Sequence, residues 1–190
     1  MKRIVIMASG SGSNAENIIE FFQSKETAMV THVLTNNERA KVLERCNRLK
    51  INSLVFNKED FTKTNKVLDF LQNEADYIIL AGFLWRIPMK IVEAFPNRII
   101  NIHPALLPKY GGKGMYGMHV HKAIKENKES LTGITIHFVN ENYDEGAIIF
   151  QAETAIKSDD TVNDIAKKVQ KLEYEFFPEV IEKVILKGNG

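Results

Sequence analysis

Cysteine is almost missing from this chain: one, Cys46, in 190 residues. It cannot close an intramolecular disulfide and it falls in a helical pattern, so it reads as a buried thiol in a reducing compartment. No apolar run is long enough to cross a bilayer. Lys2-Arg3 before Ile4-Val5-Ile6-Met7-Ala8 has the outline of a secretion signal, but the apolar stretch is too short and breaks into Ser-Gly repeats. An excess of one charge is missing too. At a net +1, no broad field holds nucleic acid or an anionic membrane, although a local anion site is compatible with that balance. Internal repeats and low-complexity tracts are absent. These gaps describe a cytoplasmic chain expected to meet neither nucleic acid nor membrane.

What is present fits one globular unit, with 44% hydrophobic residues and room for a sizeable core. Ile4 to Ala8 reads as a short strand, Ser9-Gly10-Ser11-Gly12-Ser13-Asn14 as a polar loop, and Ala15 to Gln23 as a helix with Ile18, Ile19 and Phe22 on one face. Strand, glycine-rich loop and helix in that order form an anion site, because backbone N–H groups converge at the positive helix end. The letters also fit Gly-x-Gly-x-x-Ala, the loose dinucleotide fingerprint. The second strand, near Val30 to Leu34, ends in Thr35-Asn36-Asn37, with no acidic residue placed for ribose hydroxyls. A phosphate or mononucleotide site is favoured over a dinucleotide site and over a plain tight turn.

Further along, Glu38 to Lys50 and Asp60 to Asn73 read as helices around a short strand at Ser53 to Phe56. Tyr77-Ile78-Ile79-Leu80-Ala81 is an apolar run covered on both faces. It leads to Gly82-Phe83-Leu84-Trp85-Arg86-Ile87, which suits either a pocket for a flat heterocycle or a loop packed on the next helix. Arg98-Ile99-Ile100 reads as a buried strand whose end carries Asn101-Ile102-His103-Pro104. Alternation puts Asn101 and His103 on one face. A carboxamide and an imidazole at a strand's carboxyl end can polarise a carbonyl and move a proton. Gly111 to Gly117 holds four glycines in seven residues and suits a mobile lid or a surface loop. His119 and His121, two apart on a helix running to Glu126, do not share a face, and no metal is expected.

Leu131 to Val139 alternates, Asn140 to Gly146 is a turn, and Ala147 to Ala155 returns, giving a hairpin. Asp144 in that turn would raise the pKa of a neighbouring imidazole. Thr161 caps a last helix on which Val162, Ile165, Ala166, Val169, Leu172 and Phe176 form the apolar face. Gln170 and Glu173 sit at its border, able to bind hydroxyls or an amine, with a solvated face as the simpler reading.

Three stretches, taken in order, resemble one family. Ser9 to Asn14 resembles the phosphate loop of the folate-dependent phosphoribosylglycinamide formyltransferases. Asn101-Ile102-His103-Pro104-Ala105-Leu106-Leu107-Pro108 resembles the catalytic segment of the wider formyltransferase superfamily. Gly133-Ile134-Thr135-Ile136-His137-Phe138-Val139, continuing to Tyr143-Asp144-Glu145-Gly146, resembles its signature. The resemblance covers Met1 to about Leu186. It implies a single formyltransferase domain over 1–190, with a phosphate-binding part at about 1–100 and a catalytic part at about 101–190. The implied fold is α/β: a Rossmann-like open, twisted, mostly parallel sheet with helices on both faces and an antiparallel C-terminal hairpin.

The resemblance further implies two small-molecule substrates, 10-formyltetrahydrofolate as co-substrate and 5-phosphoribosylglycinamide as acceptor, with no metal, in a monomer or homodimer. Asn101 would bond the formyl oxygen, protonated His103 would stabilise its charge and pass a proton to the leaving nitrogen, and Asp144 would keep His103 charged. Ser11, Gly12, Ser13 and Asn14 would hold the phosphate, with Gln170 and Glu173 on the same substrate. Leu84, Trp85, Arg86, Ile87, Asn101 and the loop Asn140, Glu141, Asn142, Tyr143 and Asp144 would form the folate pocket. Relatives acting on transfer RNA or hydrolysing the folate carry an extra domain not expected here, and sugar-nucleotide formyltransferases lack this phosphate loop. A nucleotide-binding module without transfer activity would instead leave Asn101, His103 and Asp144 apart or facing the core.

Overall fold

The computed structural model describes residues 1–188. Its strands are β1 (Lys2–Met7), β2 (Ala28–Thr35), β3 (Asn52–Val55), β4 (Tyr77–Leu80), β5 (Ile99–His103), β6 (Leu131–Phe138) and β7 (Ile148–Ala155). They form one sheet in the order β3-β2-β1-β4-β5-β6-β7. Neighbours pair in parallel from β3 through β5, and β6 and β7 are antiparallel. The helices are α1 (Ser13–Gln23), α2 (Val42–Leu49), α3 (Lys58–Thr62), α4 (Lys66–Glu74), α5 (Met89–Ala94), α6 (Met118–Glu126) and α7 (Val162–Lys187).

Side chains on β1 alternate between two cores, as a strand covered on both faces requires. Ile4 and Ile6 join a cluster with Ile18 and Phe22 of α1, Cys46 of α2 and Phe177 of α7. Val5 and Met7 face the opposite cluster, with Phe61 of α3, Leu71 of α4 and Ile91 of α5. Helices therefore lie on both faces, as expected of a Rossmann-like sheet. Cys46 is fully buried, and burial pushes its thiol up. Thr161 caps α7 as expected, in a reciprocal capping box with Asp164.

Two helix boundaries differ from the sequence reading. The second helix starts at Val42 rather than Glu38, which lies in a turn before it. The single helix expected from Asp60 to Asn73 is two, broken at Lys63 to Asn65, and Asn57 caps the first by accepting from the Asp60 N–H at 2.8 Å. An Asn-capped start and a Thr-Asn break are local hydrogen-bonding effects that an apolar periodicity does not register.

The strand order reverses between β1 and β4, and open α/β sheets bind ligands at such a switch point. The first loop crosses there, with the Ser9 N–H donating to the Gly82 carbonyl at 3.1 Å. Gly12 has φ +72, and a Cβ on it would lie 2.3 Å from Val42 Cγ2, so the start of α2 is seated directly against the loop. Gly12→Ala should therefore destabilise the protein by about 1–3 kcal/mol, the usual cost of a strained backbone position. Denaturant unfolding measures this, and an unchanged midpoint would refute the tight seating.

Candidate active site

The glycine loop ends in a helix start that no side chain caps. Gly12 is the N-cap of α1 and makes no side-chain bond, so the first-turn N–H groups keep no local side-chain acceptor. The loop is braced from behind: Arg45 donates to the Ser11 carbonyl at 2.7 Å, and the Val42 N–H donates to that of Gly10 at 3.2 Å. Glu16, in the first turn, is paired with Arg45 and Arg48. The loop thus faces the cleft with its donors while the neighbouring acid is neutralised.

Behind the loop, Asn14 Nδ2 donates to Glu173 Oε2 at 2.9 Å. Burial raises the Glu173 carboxyl against the opposing Asn14 bond. Asn14 Oδ1 is buried with no partner among the described residues. Glu173 is therefore part of a polar corner rather than a solvated helix face, and the free oxygens there accept from a hydroxyl or an ammonium. Gln170 lines the same cleft one turn earlier on α7.

The cleft measures about 990 Å³ and runs from this corner past the ends of β4 and β5. Leu84, Trp85, Arg86 and Ile87 line it, as do Asn140, Asn142, Tyr143 and Asp144. Trp85 and Phe83 also pack against Phe56 and Phe61, so the segment after β4 is at once pocket wall and core. One expected residue departs. Glu141 does not line the cleft; its carbonyl oxygen accepts from Arg86 Nε at 2.8 Å, which ties the two walls together at the mouth.

Asn101, His103 and Asp144 converge. Asn101 and His103 share a face of β5, and Asp144 reaches His103 from the turn after β6, with Oδ2 3.6 Å from His103 Nδ1. His103 Nε2–H donates to the Tyr110 carbonyl at 2.7 Å, leaving Nδ1 toward the acid. The loop after His103 is pinned by Thr135, whose Oγ1 accepts from the Leu107 N–H at 2.9 Å and donates to the Ala105 carbonyl at 2.7 Å. The glycine-rich stretch is no detached surface loop: the Gly112 N–H donates to Asp144 Oδ2 at 2.9 Å. A Cβ on Gly111 would fall 2.5 Å from Leu107 Cδ2, so that side chain packs closely on the glycine.

Burial works against the expectation that Asp144 keeps His103 charged. His103 is 3% exposed, and burial pushes its pKa below the ordinary value despite Asp144 and the Tyr110 carbonyl. Burial would lift the Asp144 carboxyl, but nearby His137, the His103 charge and the Gly112 N–H together hold it below the usual carboxylate range. Desolvation of the ring outweighs a carboxylate 3.6 Å away.

Two histidines at the site carry no assigned role in the sequence reading. His121, on α6, lines the cleft and is 5% exposed, with Nδ1 unpartnered and its pKa lowered by burial and by His103. His137 sits opposite Asn101 in the β5–β6 register. Its place in the alternation of β6 is legible in the sequence, but the β5 residue that it lies opposite is not. Among the described residues no group of three or more His, Cys, Asp or Glu could hold a metal ion, and no helix is long and apolar enough to cross a membrane.

A formyl transferase family model matches residues 2–181. The chain belongs to the formyl transferase family. It is 39% identical over 187 residues to a chloroplastic phosphoribosylglycinamide formyltransferase of Arabidopsis thaliana, covering 95% of this chain and 64% of that protein. A second plant relative, from Vigna unguiculata, is likewise spanned for only 60% of its length. The phosphoribosylglycinamide formyltransferase of Bacillus subtilis is 31% identical over 195 residues, covering 100% of this chain and 97% of that one. Among solved structures, glycinamide ribonucleotide transformylase 1 of Symbiobacterium toebii superposes with a TM-score of 0.90 at 30% identity, over 98% of this chain and 89% of that chain. The mostly parallel sheet with an antiparallel C-terminal hairpin is thus the formyltransferase fold.

Acid should weaken this family member through its own site. His103 and His121 are held below their ordinary value, so the unfolded chain takes up protons there first. Their contribution is whole above pH 6.5, the unperturbed value, and is lost as pH falls through the lower folded values. Asp144, depressed from 3.8, adds a second loss deeper in acid. Melting temperature should fall as pH drops below 6.5, and less steeply in His121→Asn. Equal slopes in the two proteins would contradict the assignment to burial.

Proposed function

We propose that this chain moves the formyl group of 10-formyltetrahydrofolate onto the amine of 5-phosphoribosylglycinamide in de novo purine synthesis. The products are formylglycinamide ribonucleotide and tetrahydrofolate. The observation that carries this reading is the meeting of Asn101, His103 and Asp144 in a cleft continuous with the glycine loop. The names borne by relatives at 31–39% identity support it.

In this reading Ser11, Gly12, Ser13 and Asn14 receive the phosphate, and Gln170 and Glu173 receive hydroxyls or the amine of the same substrate. The apolar wall from Leu84 to Ile87, facing Val139 and Tyr143, suits a flat heterocycle, with Asn140 and Asn142 as polar contacts. Asn101 donates to the formyl oxygen as it turns negative, a bond stronger in the transition state than before it. His103 works from its neutral form. Nδ1, not committed to Tyr110, accepts the proton of the attacking amine and returns it to the departing nitrogen. Asp144 stabilises the imidazolium for the interval in which it is charged. The whole chain acts as one domain in the cytoplasm, with residues to about 100 handling the phosphate and those from about 101 the chemistry.

The test is to supply both substrates, with water-only and alternative-amine controls, and follow folate release. Asn101→Ala should lower turnover by about 10²–10³ with little change in substrate affinity. Unchanged turnover would overturn the role given to Asn101, and release with water alone would overturn the acceptor. Ser13→Ala should raise the apparent constant for the phosphorylated substrate more than that for the folate. Equal effects on both would contradict the phosphate loop.

A further inference from the structure

The transfer reading depends on which way the Asn101 carboxamide points. An amide turned by half a rotation has nearly the same shape, but presents a carbonyl oxygen where a donor is required. Asn101 has one side-chain partner among its described hydrogen bonds, His137, which is 2% exposed and lies directly across the β5–β6 ladder. Side chains opposite one another in an antiparallel pair share a face.

His137 Nδ1 lies 2.8 Å from the Phe138 carbonyl oxygen. A carbonyl oxygen can only accept, so Nδ1 carries the hydrogen, and in that tautomer Nε2 has a bare lone pair. Asn101 Nδ2 lies 3.0 Å from Nε2 and donates to it. Asp144 Oδ1, at 3.6 Å from the same nitrogen, is beyond hydrogen-bonding distance.

We infer that His137 is a positioning residue that fixes the Asn101 carboxamide with its nitrogen toward the ring, leaving its second N–H for the formyl oxygen. Turned the other way, the amide oxygen would meet the lone pair of Nε2 on one side and the substrate oxygen on the other, two acceptors with nothing to accept. The Phe138 carbonyl thereby acts at a distance: it sets the tautomer, the tautomer sets the amide, and the amide meets the substrate. Buried groups acting on one another in this way are worth more together than pairwise deletion suggests.

This inference rests on the transfer reading, and a double-mutant cycle separates the two. If wild-type protein releases no folate with the two substrates, the transfer reading fails, whatever His137 does. Given transfer, His137→Phe should slow turnover about 10- to 100-fold, the scale of a misplaced reacting group. Both Michaelis constants should stay within about twofold, and His137→Gln, which restores an acceptor, should recover most of the rate. In Asn101→Ala, where there is no amide left to orient, adding His137→Phe should cost less than about twofold more. Independent, multiplying losses would overturn the inference, since a merely structural histidine gives that result. Ring-nitrogen NMR on the wild-type protein needs no variant to fold. It should show hydrogen on Nδ1 and none on Nε2, and a hydrogen on Nε2 would overturn the inference.

Discussion

β5 changes the kind of neighbour it has. On one side it runs parallel to β4, on the other antiparallel to β6. The chemistry follows from that change. A parallel neighbour would arrive after a crossover and bring its carboxyl end level with that of β5. The antiparallel one lays His137 against Asn101 and Thr135 against His103. It also sends the turn holding Asp144 back over both. The parallel half of the sheet carries the glycine loop, and the antiparallel half brings Asp144 to the cleft that Asn101 and His103 line. The long cleft is the seam between the two halves.

Much of this was readable in the residues. The short apolar run at Ile4 and the two-sided run at Tyr77 read as strands, the Ser-Gly loop leads into a helix start, and alternation along β6 marks the hairpin. Asn101 and His103 stood out because a polar pair followed an apolar strand. The remainder depended on tertiary contacts. Glu141 was taken with its neighbours as part of a lining loop, but Arg86 claims its carbonyl. Gly111 to Gly117 looked loose from composition, yet Gly112 is bonded to Asp144. His137 was only one residue of an alternating strand until the register was known.

At His103 a local rule meets an opposing one. A carboxylate next to an imidazole favours the cation, and sequence reading can go no further than that. Burial depends on everything packed around the ring, here the loop pinned by Thr135 and the segment leading to Tyr110. Dehydration wins. That direction agrees with the proposed role, in which the ring first takes a proton and then gives it up, because a ring already charged could do only the second.

Arg86 joins the wall after β4 to the turn that carries Asp144, through a single backbone oxygen of Glu141. Both ends of that strap are exposed. The acid therefore sits on a segment anchored at its far side by the glycine stretch and at its near side by one guanidinium at the rim. The turn that places the acid thus also forms one edge of the cleft, so a change at the rim reaches the carboxylate through a single short run of backbone.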